Sequence, residues 1–262
     1  MIVDYHLHLR DEEERLSFTV EAAERFAETA AARGVDEIGF TEHVYYFRQT
    51  EAVWTLPYQT ERCKYDLDEY VGAVVDAKRQ GLPVKLGLEV DWWPPRDEEI
   101  AAALEPYPWD FLLGSVHWLG AEAVDAESGL GEAAPYFAAV ADAARSGRFD
   151  VLSHLDLVKI FGLRVGPEHY DGLADSIAEA GVAVEVSTAG WRKPVGQLYP
   201  APELLARLAE CRVPITLASD GHLPGLVGED FPRALAVARE AGYDTVTVFE
   251  ARSGRQEPLG WA

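Results

Sequence analysis

The chain has 262 residues, 48% of them apolar, with 45 acidic against 23 basic side chains and a formal charge of −22 at pH 7. That length suits one α/β domain with a sizeable core, residues 1–262; the acidic surface argues against nucleic-acid backbones and anionic lipid surfaces as partners. Cys63 and Cys211 make no C-x-x-C pair or disulfide framework, the N-terminus enters a strand pattern without a secretory-type leader, and no apolar run is long enough to span a bilayer, so a cytoplasmic protein is expected.

In chain order, Ile2–Leu9 reads as a strand and Ser17–Arg33 as a helix stopped by Gly34. Asp36–Phe40 is a second strand. The aromatic-rich stretch 45–65 has no clear period and reads as a loop. Asp66 and Glu69 form a D-x-x-E capping box that opens a helix ending at Gly81. Strands follow at Val84–Val90, Phe111–Trp118, Phe149–Leu155, Val182–Ser187 and Pro214–Ser219. Helices at Asp97–Leu104, Ala134–Ser146, Pro167–Gly181, Pro202–Cys211 and Phe231–Gly242 alternate with them, and Thr245–Phe249 is a last strand candidate. Alternation of helices with apolar, β-branched strands predicts a parallel sheet, and the number of units favours a closed barrel. No G-x-G-x-x-G follows the first strand, which removes the usual dinucleotide-binding reading.

Six of the seven histidines fall at or just past the C-terminal end of a predicted strand. His6 and His8 end the first strand, and Thr41-Glu42-His43 follows the second. His117 ends the fourth, Ser153-His154 the fifth, and Asp220-Gly221-His222 follows the seventh. Glu89 ends the third. In a parallel barrel these ends share one rim, where loops build the active site. Residues i and i+2 of a strand face the same way, about 6.6 Å apart, so His6 and His8 can reach one ion there. The mixture of His, Asp and Glu suits zinc, manganese or iron, and the set is large enough for two or three divalent ions sharing a carboxylate. His169 lies within a helix pattern and reads as a surface residue.

The stretches DYHLHL, FTEHV, GLEVDWWP, GSVHWLG, SHLDLVKIFG, EVSTAGWRKPVGQLYP and ITLASDGH occur in the order seen in the polymerase-and-histidinol-phosphatase (PHP) family. The chain resembles that family, and within it the monofunctional histidinol-phosphate phosphatases. The resemblance implies a distorted (β/α)7 barrel, TIM-barrel-like, with a trinuclear metal site at the C-terminal end of the strands. It implies that His6, His8, Glu89 and Asp220 hold a first metal. Glu89 would bridge to a second, held also by His117 and His154. His43 and His222 would hold a third, with a histidine six residues after the H-x-H pair. That position is Glu14 here, within an acidic run where Asp11, Glu12 or Glu13 could serve instead.

The expected chemistry is hydrolysis of L-histidinol phosphate to L-histidinol and phosphate, in histidine biosynthesis. Attack would come from a metal-bound hydroxide, since cations lower the pKa of water to about 7 and can clamp both the attacking and the leaving oxygens. Asp220 and His222 are candidates to assist if not fully engaged as ligands. Resemblance implies phosphate contacts from Lys159 and Arg192; an arginine offers a fork for phosphate oxygens. Tyr45, Tyr46, Phe47, Trp92 and Trp93 could line the mouth. A different small or nucleotide-derived phosphate monoester, an amidohydrolase reaction and a non-catalytic metal module are the alternatives. The sequence leaves the oligomeric state open.

Overall fold

The computed structural model describes residues 1–11, 13–124 and 132–260. In chain order the elements are β1 (Val3–Leu7), α1 (Val20–Ala32), β2 (Glu37–Phe40), α2 (Pro57–Thr60), α3 (Leu67–Arg79), β3 (Val84–Leu86) and β4 (Glu89–Asp91). Next come α4 (Asp97–Leu104), β5 (Leu113–Ser115), β6 (Trp118–Leu119), β7 (Glu122–Ala123), α5 (Ala134–Arg145) and β8 (Val151–Leu152). The chain continues through α6 (Tyr170–Ala180), β9 (Ala183–Ser187), α7 (Pro202–Glu210), β10 (Ile215–Ala218), α8 (Phe231–Glu240), β11 (Thr245–Glu250) and β12 (Ser253–Pro258).

Local chemistry sets the helices. Thr19 caps α1 by accepting from the Ala22 amide at 3.1 Å, and Ala22, Ala23, Phe26, Ala27 and Ala30 form its buried face. Asp66 caps α3 by accepting from the Asp68 amide at 2.9 Å. The aperiodic stretch 45–65 contains short 3₁₀ turns and α2, but no strand.

Two parallel sheets form, ordered β1-β2-β3 and β10-β9-β8-β5-β4. Both seams between them are bridged. At one, β3 and β4 are a single strand path interrupted at Gly87-Leu88, and a parallel bridge joins His43 to Glu89. At the other, Leu7 bridges Gly221, with His8 N donating to Gly221 O at 2.9 Å and Gly221 N to His6 O at 3.2 Å. Asp4 strengthens this seam by accepting from the Ser219 amide at 2.8 Å, the Ser219 hydroxyl at 2.6 Å and the Gly228 amide at 2.8 Å. The result is the expected distorted (β/α)7 barrel.

The sequence reading of one strand over 84–90 was therefore too regular. Phe111 explains the interruption: a Cβ at Gly87 would lie 2.7 Å from its Cζ, and one at Gly39 equally close. The ring fills the interior, and only glycine leaves room for it. Phe111 also packs on Tyr5 and Phe249, with ring centroids 5.0 and 5.7 Å away. Phe249 belongs to β11, which pairs antiparallel with β12. This hairpin lies at the N-terminal ends of the strands: Lys85 pairs with Glu250, and Gly260 N donates to Met1 O at 3.0 Å. It caps the end of the barrel remote from the histidines. No helix among the described residues is long and apolar enough to cross a membrane.

Candidate metal centre

Glu89, at the start of β4, is buried at the centre of the opposite rim. Its two oxygens face different partners. Oε1 lies 3.3 Å from His117 Nε2 and 3.3 Å from His154 Nε2. Oε2 lies 2.7 Å from His43 Nδ1, 3.5 Å from His6 Nε2 and 3.8 Å from His8 Nε2. Asp220 Oδ1 approaches His8 Nε2 at 3.4 Å and His6 Nε2 at 3.8 Å. The His222 ring stacks on His8 at 4.1 Å. Asp220 adopts a left-handed backbone, φ 50°, a strained conformation of the kind that concentrates at functional sites. Gly221 follows because a Cβ there would meet Leu7 Cδ2 at 2.9 Å.

The far side of each key imidazole is anchored. His6 donates from Nδ1 to Glu185 Oε2 at 2.9 Å, His8 from Nδ1 to Glu42 Oε2 at 3.4 Å, and His117 from Nδ1 to Asp91 Oδ1 at 2.9 Å. Glu185 also accepts from the His154 amide at 2.8 Å, and Ser115 donates to Glu89 Oε1 at 2.7 Å. Such anchors fix the tautomer and turn the opposite nitrogen's lone pair inward.

Those inward atoms test whether a cation belongs here. His6 Nε2, His8 Nε2, His43 Nδ1 and Glu89 Oε2 are buried without a hydrogen-bond partner. Buried lone pairs facing one another cost roughly 1–3 kcal/mol each when unsatisfied. A metal ion satisfies them together. Three donor groups have ligand atoms within 4.8 Å of one another: His6–His8–Glu89, His43–Glu89–His117 and His8–His43–His222. The residues fit divalent metal.

The electrostatics agree. Burial disfavours charge on His6, yet Glu185, Glu89 and Asp220 outweigh it and lift its pKa well above the usual value. Burial opposes ionisation of Glu89 and Asp220 too, but the surrounding imidazoles hold both carboxyls well below their usual range. Burial first, then the neighbouring His8, pushes His222 down to about 2, which leaves it neutral and able to coordinate.

The cluster forms the floor of a cleft of about 260 Å³ whose walls include Tyr45, Tyr46, Tyr58, Trp118 and Tyr199. A larger cavity, about 460 Å³, lies among Trp92, Ile100, Leu104, Trp109 and Phe149, and Asp91, the acceptor for His117, is in its lining.

The PHP domain matches residues 6–189. The chain belongs to the PHP family. It is 37% identical to a probable histidinol-phosphatase of Deinococcus radiodurans over 85% of this chain and 88% of that protein. It is 26% identical to the histidinol-phosphatase of Bacillus subtilis, covering 78% and 88% of the two chains. By fold it is similar to histidinol phosphate phosphatase from Lactococcus lactis, crystallised with zinc, L-histidinol and phosphate: TM-score 0.76, 22% identity, 97% and 98% coverage.

Within this PHP barrel eight of the nine expected metal-binding residues converge: His6, His8, His43, Glu89, His117, His154, Asp220 and His222. Glu14 is not brought to them. It is exposed in a turn with φ 61°. Asp11 is turned away by Arg15, which pairs with its carboxylate at 2.8 Å, and Glu13 is exposed; Glu12 lies outside the described residues.

The two expected phosphate contacts are each paired with an acid. Lys159 is buried, 2.7 Å from Asp156 Oδ2 and donating to Leu198 O at 2.8 Å, and does not line the cleft. Arg192 pairs with Glu229 at 3.3 Å and donates to Ser219 O, next to Asp220. Tyr45 and Tyr46 line the mouth as expected; Phe47 and Trp93 are core, and Trp92 faces the other cavity. The anchors Glu42 and Glu185 were missed, although an acid inside the apolar run Ala183–Ser187 is itself a signal of a buried role.

Proposed function

We propose that this protein hydrolyses L-histidinol phosphate to L-histidinol and inorganic phosphate. The observation that carries the reading is Glu89: one carboxylate, with an oxygen toward each of two histidine groups, at the floor of a cleft sized for a small molecule. The substrate is supported by the names of the curated relatives and by the ligands of the Lactococcus lactis structure.

His6, His8, Glu89 and Asp220 would hold one divalent cation, and Glu89, His117 and His154 a second. His8, His43 and His222 lie close enough to share a third. Zinc, manganese and iron all suit these donors. Bound there, such cations supply Lewis acidity and acidify water to a pKa of about 7. Glu185, Glu42 and Asp91 keep the imidazoles oriented throughout. His222 stands beside Asp220 at 3.7 Å and stays neutral at working pH, which suits it to coordination rather than to taking up a proton. The tyrosines and Trp118 line the cleft, a wall of aromatic surface suited to an imidazole and an ammonium group. A place in histidine biosynthesis, in the cytoplasm, follows from this reading.

The test is turnover of a panel of phosphate monoesters by the purified chain, before and after chelation, with metal content measured on the same sample. Histidinol phosphate should give the highest kcat/KM, and chelation should abolish it. A tenfold preference for another monoester would replace the substrate, and a metal-loaded but inactive protein would remove the enzymatic reading.

A further inference from the structure

The cleft has two cationic residues in its wall, Arg10 and Lys193. Lys193 is exposed. Arg10 is built in. It lies two residues past His8 and pairs with Leu16 across a short loop. Asp11 pins that loop by accepting from the Glu13 and Arg15 amides at 2.9 and 3.0 Å and pairing with the Arg15 side chain. The Arg10 guanidinium donates to Glu14 O at 3.3 Å and to the Tyr46 hydroxyl at 3.5 Å, and its Nε is buried with no partner.

Among the described residues Arg10 has no carboxylate within ion-pair distance, although the chain carries 45 acids to 23 bases. Lys159 and Arg192, by contrast, are each neutralised by an acid. A guanidinium held at the wall of a metal-binding cleft, with an N–H to spare and no carboxylate within ion-pair distance among the described residues, is matched to an incoming anion. Its planar fork fits phosphate oxygens better than an ammonium does. We propose that Arg10 binds the phosphoryl group of the substrate. This rests on the phosphatase reading.

Inorganic phosphate is the probe, titrated calorimetrically into the metal-loaded full chain and used as a competitive inhibitor. Arg10→Gln should weaken phosphate by about tenfold or more, the effect of losing a charged hydrogen bond. Arg10→Lys should fall between, and Lys193→Gln should lose less than Arg10→Gln. Metal content and the unfolding temperature should not change. If Arg10→Gln does not fold, a weakened but measurable affinity in Arg10→Lys is the expected result. Unchanged phosphate affinity in both Arg10 variants overturns the proposal. So does absence of phosphate binding to the wild type, or loss or gain of metal in step with the loss of phosphate. Arg10-dependent phosphate binding without turnover of histidinol phosphate supports Arg10 and sinks only the substrate assignment.

Discussion

Around Glu89, carboxylates anchor the outer nitrogens of His6, His8 and His117, and the inner nitrogens of His6 and His8 are buried with no hydrogen-bond partner. Asp91→Asn and Glu185→Gln should each lower metal affinity by about 10–100-fold, since they remove the acceptors that hold His117 and His6; competition with a chromophoric chelator measures this. The pH dependence has a definite sign. His6 has its pKa raised well above 6.5, and His8 is raised as well, the nearby carboxylates outweighing burial. The metal-free protein therefore holds protons that a cation must displace. Metal affinity should rise with pH, and zinc uptake near pH 7 should release protons into a weakly buffered solution containing an indicator dye. Zinc binding without proton release would contradict it. At this scale the ligands were legible, because strand ends and i, i+2 spacing are local. Their anchors were not, because Glu185 reaches His6 only across the folded barrel, 179 residues away.

Strand ends and the turns just past them place the candidate ligands, and the interrupted third strand places the central one, Glu89. Gly87 N donates to Phe40 O at 2.9 Å and Glu89 N to Glu42 O at 3.0 Å, so the strand path keeps pace with its neighbour through the break. Gly87→Ala would press on Phe111 and should cost about 1–3 kcal/mol. It should also reduce metal occupancy by displacing Glu89; urea unfolding and metal analysis on the same variant separate the two effects. Asp4→Ala should be destabilising by about 2–4 kcal/mol through three stranded donors at the seam beside Asp220. Periodicity located most elements to within a few residues. It joined β3 to β4 because the interruption comes from a ring contributed by Phe111, outside the strand. It missed β12, an exposed strand whose polar sequence Ser253–Pro258 carries no apolar alternation.

For the whole molecule, metal binding and stability are linked. A cation that binds the folded centre and not the unfolded chain stabilises by mass action. Thermal unfolding of the metal-loaded protein should occur above that of the chelated protein, with a midpoint that rises with free zinc; identical midpoints would mean the cluster binds no cation in the folded state. By itself the sequence determined the barrel class and the eight metal-binding candidates that converge, since alternating elements and residues at strand ends are written in short-range order. Only the tertiary structure decided which charges are free to act. Lys159, Arg192 and Arg10 are alike as letters, and Glu14 sits in a run of equivalent acids. Their roles depend on which counter-charge the fold brings to each, and that partner is set by packing between segments far apart in the chain.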